Sequence, residues 1–415
     1  MVAGAAFWPP VRDLHMSQGE AGRSRAYQTG LTQGCKTRHS GLGRHVAAGG
    51  YSGDDMDDAQ APAPGETMTF GQTIAPAGFI GLSLKNALLN IVTLTLYRFW
   101  AKTEVRKRLW SKITLNGEPF EYTGKGKELF LGFLLALVIL GVPYLALVLA
   151  IQFLHPLFAL LIFPLYFGLF VLIGSAIFLA FRYMASRTNW RGVRFQLKGS
   201  PAKYGWSYLG YSLLTGITLG WFAPSMSMRL AEKLWGGLSF GDQKLRWVRS
   251  TKEGLYGPFA IAWVVGIVGY FVLFAAIVAN AQSMVAGAEA ESMPRVEAIL
   301  AIYGYALIYA VVLMIASAPY HAAVLRTIAA SIRLGDARFT LKVKAGELIV
   351  LTLTNILLLI VTLGFLTPVI SARTAKFLVS RLSSEGEAPL SAALQAPRGP
   401  KTGEGLADAF DISPF

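Results

Sequence analysis

Seven polar side chains stand in stretches that are otherwise strongly apolar: Lys85, Asn86, Asn90 and Thr93 in one, Thr218 in a second, Asn355 and Thr362 in a third. In hydrocarbon such groups cost free energy unless they are hydrogen-bonded, and an intramembrane charge marks a site by default. Two chemistries fit. The amides and hydroxyls can line a polar path for an ion or small solute, with Lys85 as its charge. Alternatively they hydrogen-bond helix to helix, at about 0.6 kcal/mol each, while Lys85 snorkels to the surface. Covalent or acid–base catalysis has no support: there is no paired-histidine zinc motif, no nucleophile-elbow serine and no phosphate-binding glycine loop. His155 and His321 are isolated and Cys35 is the single cysteine, so neither a cofactor nor a metal is expected.

A second set is basic. Arg106, Lys107, Arg108 and Trp110 follow the first apolar stretch, Arg191 and Arg194 precede the second, Arg229 and Lys233 follow it, and Arg373 follows the third. Beside a membrane these are candidate contacts for anionic lipid headgroups, each contributing about 1 kcal/mol.

The elements that must carry these residues are membrane helices. Hydrophobic residues make up 53% of the 415 and charged residues only 15%, against roughly 25% charged in soluble domains. Four stretches are long enough to cross a bilayer, over about 129–154, 156–181, 256–281 and 298–320, a crossing needing about 20 apolar residues. The formal net charge of +14 then places Lys and Arg beside membrane segments. Anionic lipid is the expected partner and nucleic acid is not, since no basic–aromatic RNA-binding signature is present.

Between the long stretches three segments resemble one another. "NALLNIVTLTLYRFWAK" begins at Asn86, "YSLLTGITLGWFAPSMSMR" at Tyr211 and "NILLLIVTLGFLTPVISAR" at Asn355. A phenylalanine (Phe70, Phe195, Phe339) precedes the threonine of each Thr-Leu pair (Thr93, Thr218, Thr362) by 23 residues, and Glu104, Arg229 and Arg373 follow that threonine by 11. The spacing predicts a threefold internal repeat, with copies over about 70–122, 195–249 and 339–384. Around it recur a glycine, an aromatic and period-two alternation, as in "NGEPFEYTG", "RGVRFQLKG", "GGLSFGDQKLRW" and "LGDARFTLKVK". These read as short basic strands or hairpins at the membrane surface. The expected fold class is thus an all-α polytopic membrane protein with short basic β-hairpin elements on its cytoplasmic side.

"NIVTLTLYRFWAKTEVRKRLW", "FRYMASRTNWRGVRFQLKG" and "LTNILLLIVTLGFLTPVISAR" resemble the signature of the YjgN-type bacterial inner-membrane proteins, a domain family of unknown function, over about residues 69–384. The resemblance implies a multi-pass protein of the bacterial inner membrane. Two positions depart from its pattern: Thr95 stands where glycine is usual, and Glu104 where arginine is expected, with Arg106 to Arg108 as substitute cations.

Lys and Arg flank every repeat segment, whereas the joint at His155 has none and the Ala281–Glu297 joint is acidic, so the two joints are expected outside and both termini in the cytoplasm. Tyr204–Met228 and Leu348–Ala372 could each cross, giving seven spans, but basic residues at both ends favour segments that dip and return beside four full spans. Residues 1–68 and 385–415 read as disordered, and Met56 opens a second candidate start that would leave 1–55 outside the natural chain. The functional expectation is transport or channel activity along a path through the three repeats; the alternative is a non-catalytic membrane-organising or lipid-binding protein.

Overall fold

The computed structural model describes residues 65–250, 254–289, 296–391 and 393–395, and the side chains of these except within 280–298. The readings of residues 1–64, of the acidic Ala281–Glu297 joint and of the tail beyond 395 lie outside the described residues.

The chain enters through β1 (Glu66–Thr67), β2 (Phe70–Gln72) and a 3-10 turn (Pro76–Phe79) into α1 (Ile80–Val92). It reverses into α2 (Arg98–Trp110) and leaves through β3 (Ile113–Leu115), β4 (Glu118–Pro119) and β5 (Glu121–Tyr122). Two long helices follow, α3 (Gly126–Phe153) and α4 (Ile162–Arg187), joined by a 3-10 turn at Pro156–Leu161. The strand–hairpin–strand order then recurs with β6 (Thr188–Trp190), β7 (Val193–Leu197), α5 (Pro201–Ile217), α6 (Ala223–Trp235), β8 (Leu238–Phe240), β9 (Gln243–Lys244) and β10 (Arg246–Trp247). A second long pair, α7 (Tyr256–Glu289) and α8 (Val296–Ser331), leads into β11 (Ile332–Leu334), β12 (Ala337–Leu341), α9 (Ala345–Val361), α10 (Thr367–Val379), β13 (Leu382–Glu385) and β14 (Glu387–Ala388).

Among the described residues four helices are long and apolar enough to cross a membrane: Gly126–Phe153, Pro156–Arg187, Tyr256–Ala279 and Ile299–Ser331. The rest of the chain buries only 0–11% of their most apolar stretches, so their sides are left for lipid. The two segments that could have supplied further crossings are each broken in the middle. Tyr204–Met228 folds as α5 and α6, and Leu348–Ala372 as α9 and α10, each pair lying side by side.

The strands join end to end. β2 pairs with β3, β7 with β8 and β12 with β13, all antiparallel, tying the two ends of each helical hairpin together. β5 pairs with β6 and β10 with β11, linking one hairpin's strands to the next. β1 pairs with β14, so the first strand closes on the last. Single residues (Phe120, Leu245, Gly386) connect the sheets, and the result is a ring. In β12 the alternation holds, with Ala337, Phe339 and Leu341 buried and Arg338 and Thr340 exposed. Asn116-Gly117 and Arg191-Gly192 turn hairpins with φ of +50°, +84°, +47° and +76°, the left-handed pair that suits strand twist.

The ring is filled by Leu115, Phe120, Trp190 and Phe240, each at most 4% exposed, burial that contributes about 1.5–3 kcal/mol per large side chain. Trp190 Nε1 donates to Leu115 O at 3.2 Å, so its indole nitrogen is satisfied inside. Residues 385–391 and 393–395, read as part of a tail, are built into this ring. Ala388 and Leu390 are buried, and Leu394 O accepts from Asp242 N at 3.1 Å.

Helices pack around the ring in sequence. α3 lies on α2, α4 on α5, and α8 on α6 and α9. The α4–α5 crossing is close because both helices present glycine: a Cβ on Gly205 would come 2.3 Å from Val171 O. Where the circle closes α1 packs directly on α10, with no span pair between them among the described residues.

Candidate functional site

The three hairpins turn in one way. Leu94, Leu219 and Leu363 have φ of +47°, +49° and +49°, and the next residues, Thr95, Gly220 and Gly364, are also left-handed at +70°, +92° and +83°. Thr95 N donates to Asn90 O at 2.6 Å, Gly220 N to Thr215 O at 2.6 Å and Gly364 N to Leu359 O at 2.8 Å, the six-to-one bond that closes a helix C-terminus. The preceding threonine serves both helices. Thr93 Oγ1 donates back to Leu89 O (2.7 Å) and accepts from Tyr97 N (3.0 Å). Thr218 bonds Leu214 O and Phe222 N at 2.8 and 3.0 Å, and Thr362 bonds Leu358 O and Leu366 N at 2.6 and 3.4 Å. Each hydroxyl thus ties the last turn of one helix to the backbone N–H of the residue just before the next. None of the three is bonded to another hairpin among the described residues.

The tips are apolar and bare. Leu94, Leu219 and Leu363 are 85, 71 and 82% exposed, and Ile91, Val92, Ile217, Ile360 and Val361 beside them are also exposed. Contiguous apolar surface of this kind marks a membrane or protein contact. The second tip is held by α7, whose Trp263 Nε1 donates to Leu219 O at 2.8 Å, with Trp221 packed against Tyr256, Phe259 and Trp263.

The hairpin bases are polar and differ. In the first, Lys85 Nζ lies 2.9 Å from Glu104 Oε1, which also accepts from the Tyr97 hydroxyl at 2.9 Å. In the third, Arg373 Nη2 donates to Thr354 Oγ1 at 2.7 Å and Asn355 Nδ2 to Thr374 Oγ1 at 3.2 Å. In the second, Arg229 stacks over Tyr211 and Phe222, and Lys233 Nζ donates to Ser207 Oγ at 2.7 Å. The cation that answers Glu104 is therefore Lys85, and of the residues expected to stand in for the missing arginine only Arg106 is turned inward. Arg106 is 3% exposed and donates inward to the Tyr122 hydroxyl at 3.2 Å.

Of the polar-path candidates, Asn86 is 3% exposed, and neither its Oδ1 nor its Nδ2 has a hydrogen-bond partner. The Oδ1 atoms of Asn90 and Asn355 are likewise buried without one. Of the headgroup candidates, Trp110 is 2% exposed and donates to Thr188 Oγ1 at 3.0 Å, so like Arg106 it belongs to the core. Arg191 lies 3.5 Å from Glu66 and 3.7 Å from Glu118 and is largely neutralised. Lys107, Arg108, Arg229 and Lys233 are exposed, and Arg194 and Arg373 half-buried. Sequence reasoning missed Tyr97, Ser207 and Thr354 as base partners, because antiparallel pairing across a hairpin is visible only once the turn is located. Among the described residues no cluster of side chains able to hold a metal ion is present.

Known proteins were compared with this chain. No solved structure matches it. A curated relative, "Inner membrane protein YjgN" of Salmonella typhimurium, is 29% identical over 138 residues, a match spanning 33% of this chain and 33% of that protein. The profile of a family described as bacterial protein of unknown function, DUF898, matches residues 75–409, and with that extent covered the chain belongs to this family.

Proposed function

We propose that this is a non-catalytic membrane-organising protein of the bacterial inner membrane, in which three copies of one internal repeat dip hairpins into the cytoplasmic leaflet and hold the β-ring against it. The observation that carries the reading is the trio of exposed leucine tips on hairpins whose both ends return to one ring. Dimensions agree: the eleven residues of α5 from Ser207 to Ile217 rise about 16 Å, close to half of a roughly 30 Å hydrocarbon core. Tips would then reach the midplane while the bases stay level with the phosphates. Ring and termini lie in the cytoplasm on this reading, because basic side chains crowd the ring and the His155 joint carries none.

The test is accessibility in sealed spheroplasts of a Cys35→Ser background carrying Lys244→Cys, Lys342→Cys or His155→Cys. Only the His155 position should react with an impermeant thiol reagent before lysis. Reaction of either ring position from outside would overturn the shared orientation.

A second reading is transport along a polar path, favoured by the orphaned amide of Asn86 and by the unpaired Asn90 and Asn355 oxygens. Buried polar atoms left alone cost about 1–3 kcal/mol, so a water or solute is expected beside them. Ion or solute flux in proteoliposomes that is abolished by Asn86→Leu would support this reading, and flux equal to that of empty vesicles would remove it.

A further inference from the structure

The three hairpin bases sit at one level but differ in charge. The first is internally neutralised by Lys85 and Glu104. The third presents Arg373 against the Thr354 hydroxyl, with Phe377 standing where a second cation would fall. In the second, Arg229 and Lys233 are both exposed and, among the described residues, neither is ion-paired, even with the exposed Glu232 of the same helix. Arg229 rests on the faces of Tyr211 and Phe222 with ring distances of 5.7 and 5.8 Å, and Lys233 reaches the Ser207 hydroxyl at 2.7 Å. Arg229 and Lys233 are one turn apart on α6, as Ser207 and Tyr211 are on α5, so the four form two facing rungs. Lys203 stands one further turn along α5.

We propose that the base of the second hairpin binds the phosphate of an anionic phospholipid whose headgroup carries no compensating amine. The aromatic stacking holds the guanidinium without consuming its hydrogen-bond donors, and guanidinium presents a planar fork to phosphate oxygens. Lys233 keeps two of its three ammonium protons for a ligand, while the Ser207 hydroxyl, accepting from Lys233, is held in place by donating to Lys203 O at 2.8 Å. A free phosphate offers the same oxygens. A lipid is favoured because the apolar Ile217–Trp221 tip lies directly below the site, where acyl chains would run. The inference rests on the inserted-hairpin reading.

The test uses the full chain, delipidated in detergent and titrated with phosphatidylglycerol, phosphatidylcholine or inorganic phosphate, with bound lipid counted by native mass spectrometry. Arg229→Gln with Lys233→Gln should weaken phosphatidylglycerol binding roughly thirtyfold, from about 1 kcal/mol per cation. Lys244→Gln with Lys342→Gln, which removes the same charge from the ring, should change it less than twofold. Arg229→Lys with Lys233→Arg, keeping charge, should bind if the neutral pair merely misfolds. Equal losses in both neutral pairs, no loss in the first, or inorganic phosphate competing at the lipid's own affinity would each overturn the site. Should spheroplast labelling place the ring outside, the inserted-hairpin reading fails first; correct labelling with unchanged lipid binding removes only this site.

Discussion

Lys85 and Glu104 face each other across the first hairpin at 2.9 Å, at the level where the third hairpin sets Thr354 against Arg373. The first hairpin carries glutamate where the third carries arginine, and the cross-hairpin neighbour of that glutamate is a lysine that neutralises it. Both side chains are partly exposed, at 52% and 35%, so in water solvent would screen the pair and leave it a small contribution. Glu104→Arg alone should destabilise the protein, by setting two cations together. Lys85→Thr combined with Glu104→Arg should restore it, by reproducing the third hairpin's pair. A double-mutant cycle on thermal unfolding in detergent checks this, and additive effects would show that the two residues are not coupled.

Thr95 offers a test of strain. Its φ of +70° lies in the left-handed region, where Gly220 and Gly364 stand in the other two turns. A β-branched residue there costs about 1–2 kcal/mol relative to its relaxed backbone. Thr95→Gly should therefore stabilise the chain by about 1 kcal/mol after the entropy of glycine is counted, and Gly364→Thr should destabilise it similarly. A lower midpoint for Thr95→Gly would mean that the turn relaxes another way.

Much of this architecture is written in the sequence, and the reasons are local. The four long helices announce themselves because lipid tolerates no charge over twenty residues. The hairpins are betrayed by Thr-Leu-Gly and by Pro224 and Pro368, which fall in the first turn of α6 and α10. The closure of the ring was not legible: Glu66–Thr67 and Glu387–Ala388 are two-residue strands with no period to read, and their pairing joins the two ends of the fold. Nor was the inward turn of Arg106 and Trp110, since both lie in a run of basic and aromatic residues typical of a membrane surface. Only helical phase against Tyr122 and Thr188 separates them from Lys107 and Arg108.

Acid should loosen the third hairpin. Glu347, in the first turn of α9, is held below the ordinary carboxylate value chiefly by the hydrogen bond from Arg381 Nε at 2.8 Å. A carboxylate whose folded value is lowered contributes stability above its unfolded value and loses it as pH falls through the folded one. The difference in stability between the natural chain and Glu347→Gln should therefore be present at neutral pH, begin to fall below about pH 4 and vanish as pH drops through the lowered folded value. A difference independent of pH would assign the effect to packing.

Depth decides what the tips do. Leu94, Leu219 and Leu363 are more than two-thirds exposed and sit on left-handed backbone that leucine adopts at a cost, so the apolar side chain at that position must be recovered by an environment outside the fold. If that environment is the bilayer, nitroxides introduced by Leu94→Cys, Leu219→Cys and Leu363→Cys, each with Cys35→Ser, should be relaxed by oxygen and shielded from a water-soluble nickel complex. All three should report a similar depth, near the midplane, because the leg from tip to base rises about 16 Å against a half-core of about 15 Å. A label at Lys244, exposed on the ring, should show the opposite pattern. The second tip should also be the most immobile, since Trp263 binds the Leu219 carbonyl at 2.8 Å, and Trp263→Phe should loosen that tip alone. Nickel reaching all three tips as readily as Lys244 would place the hairpins in water and leave their leucines to a protein partner instead.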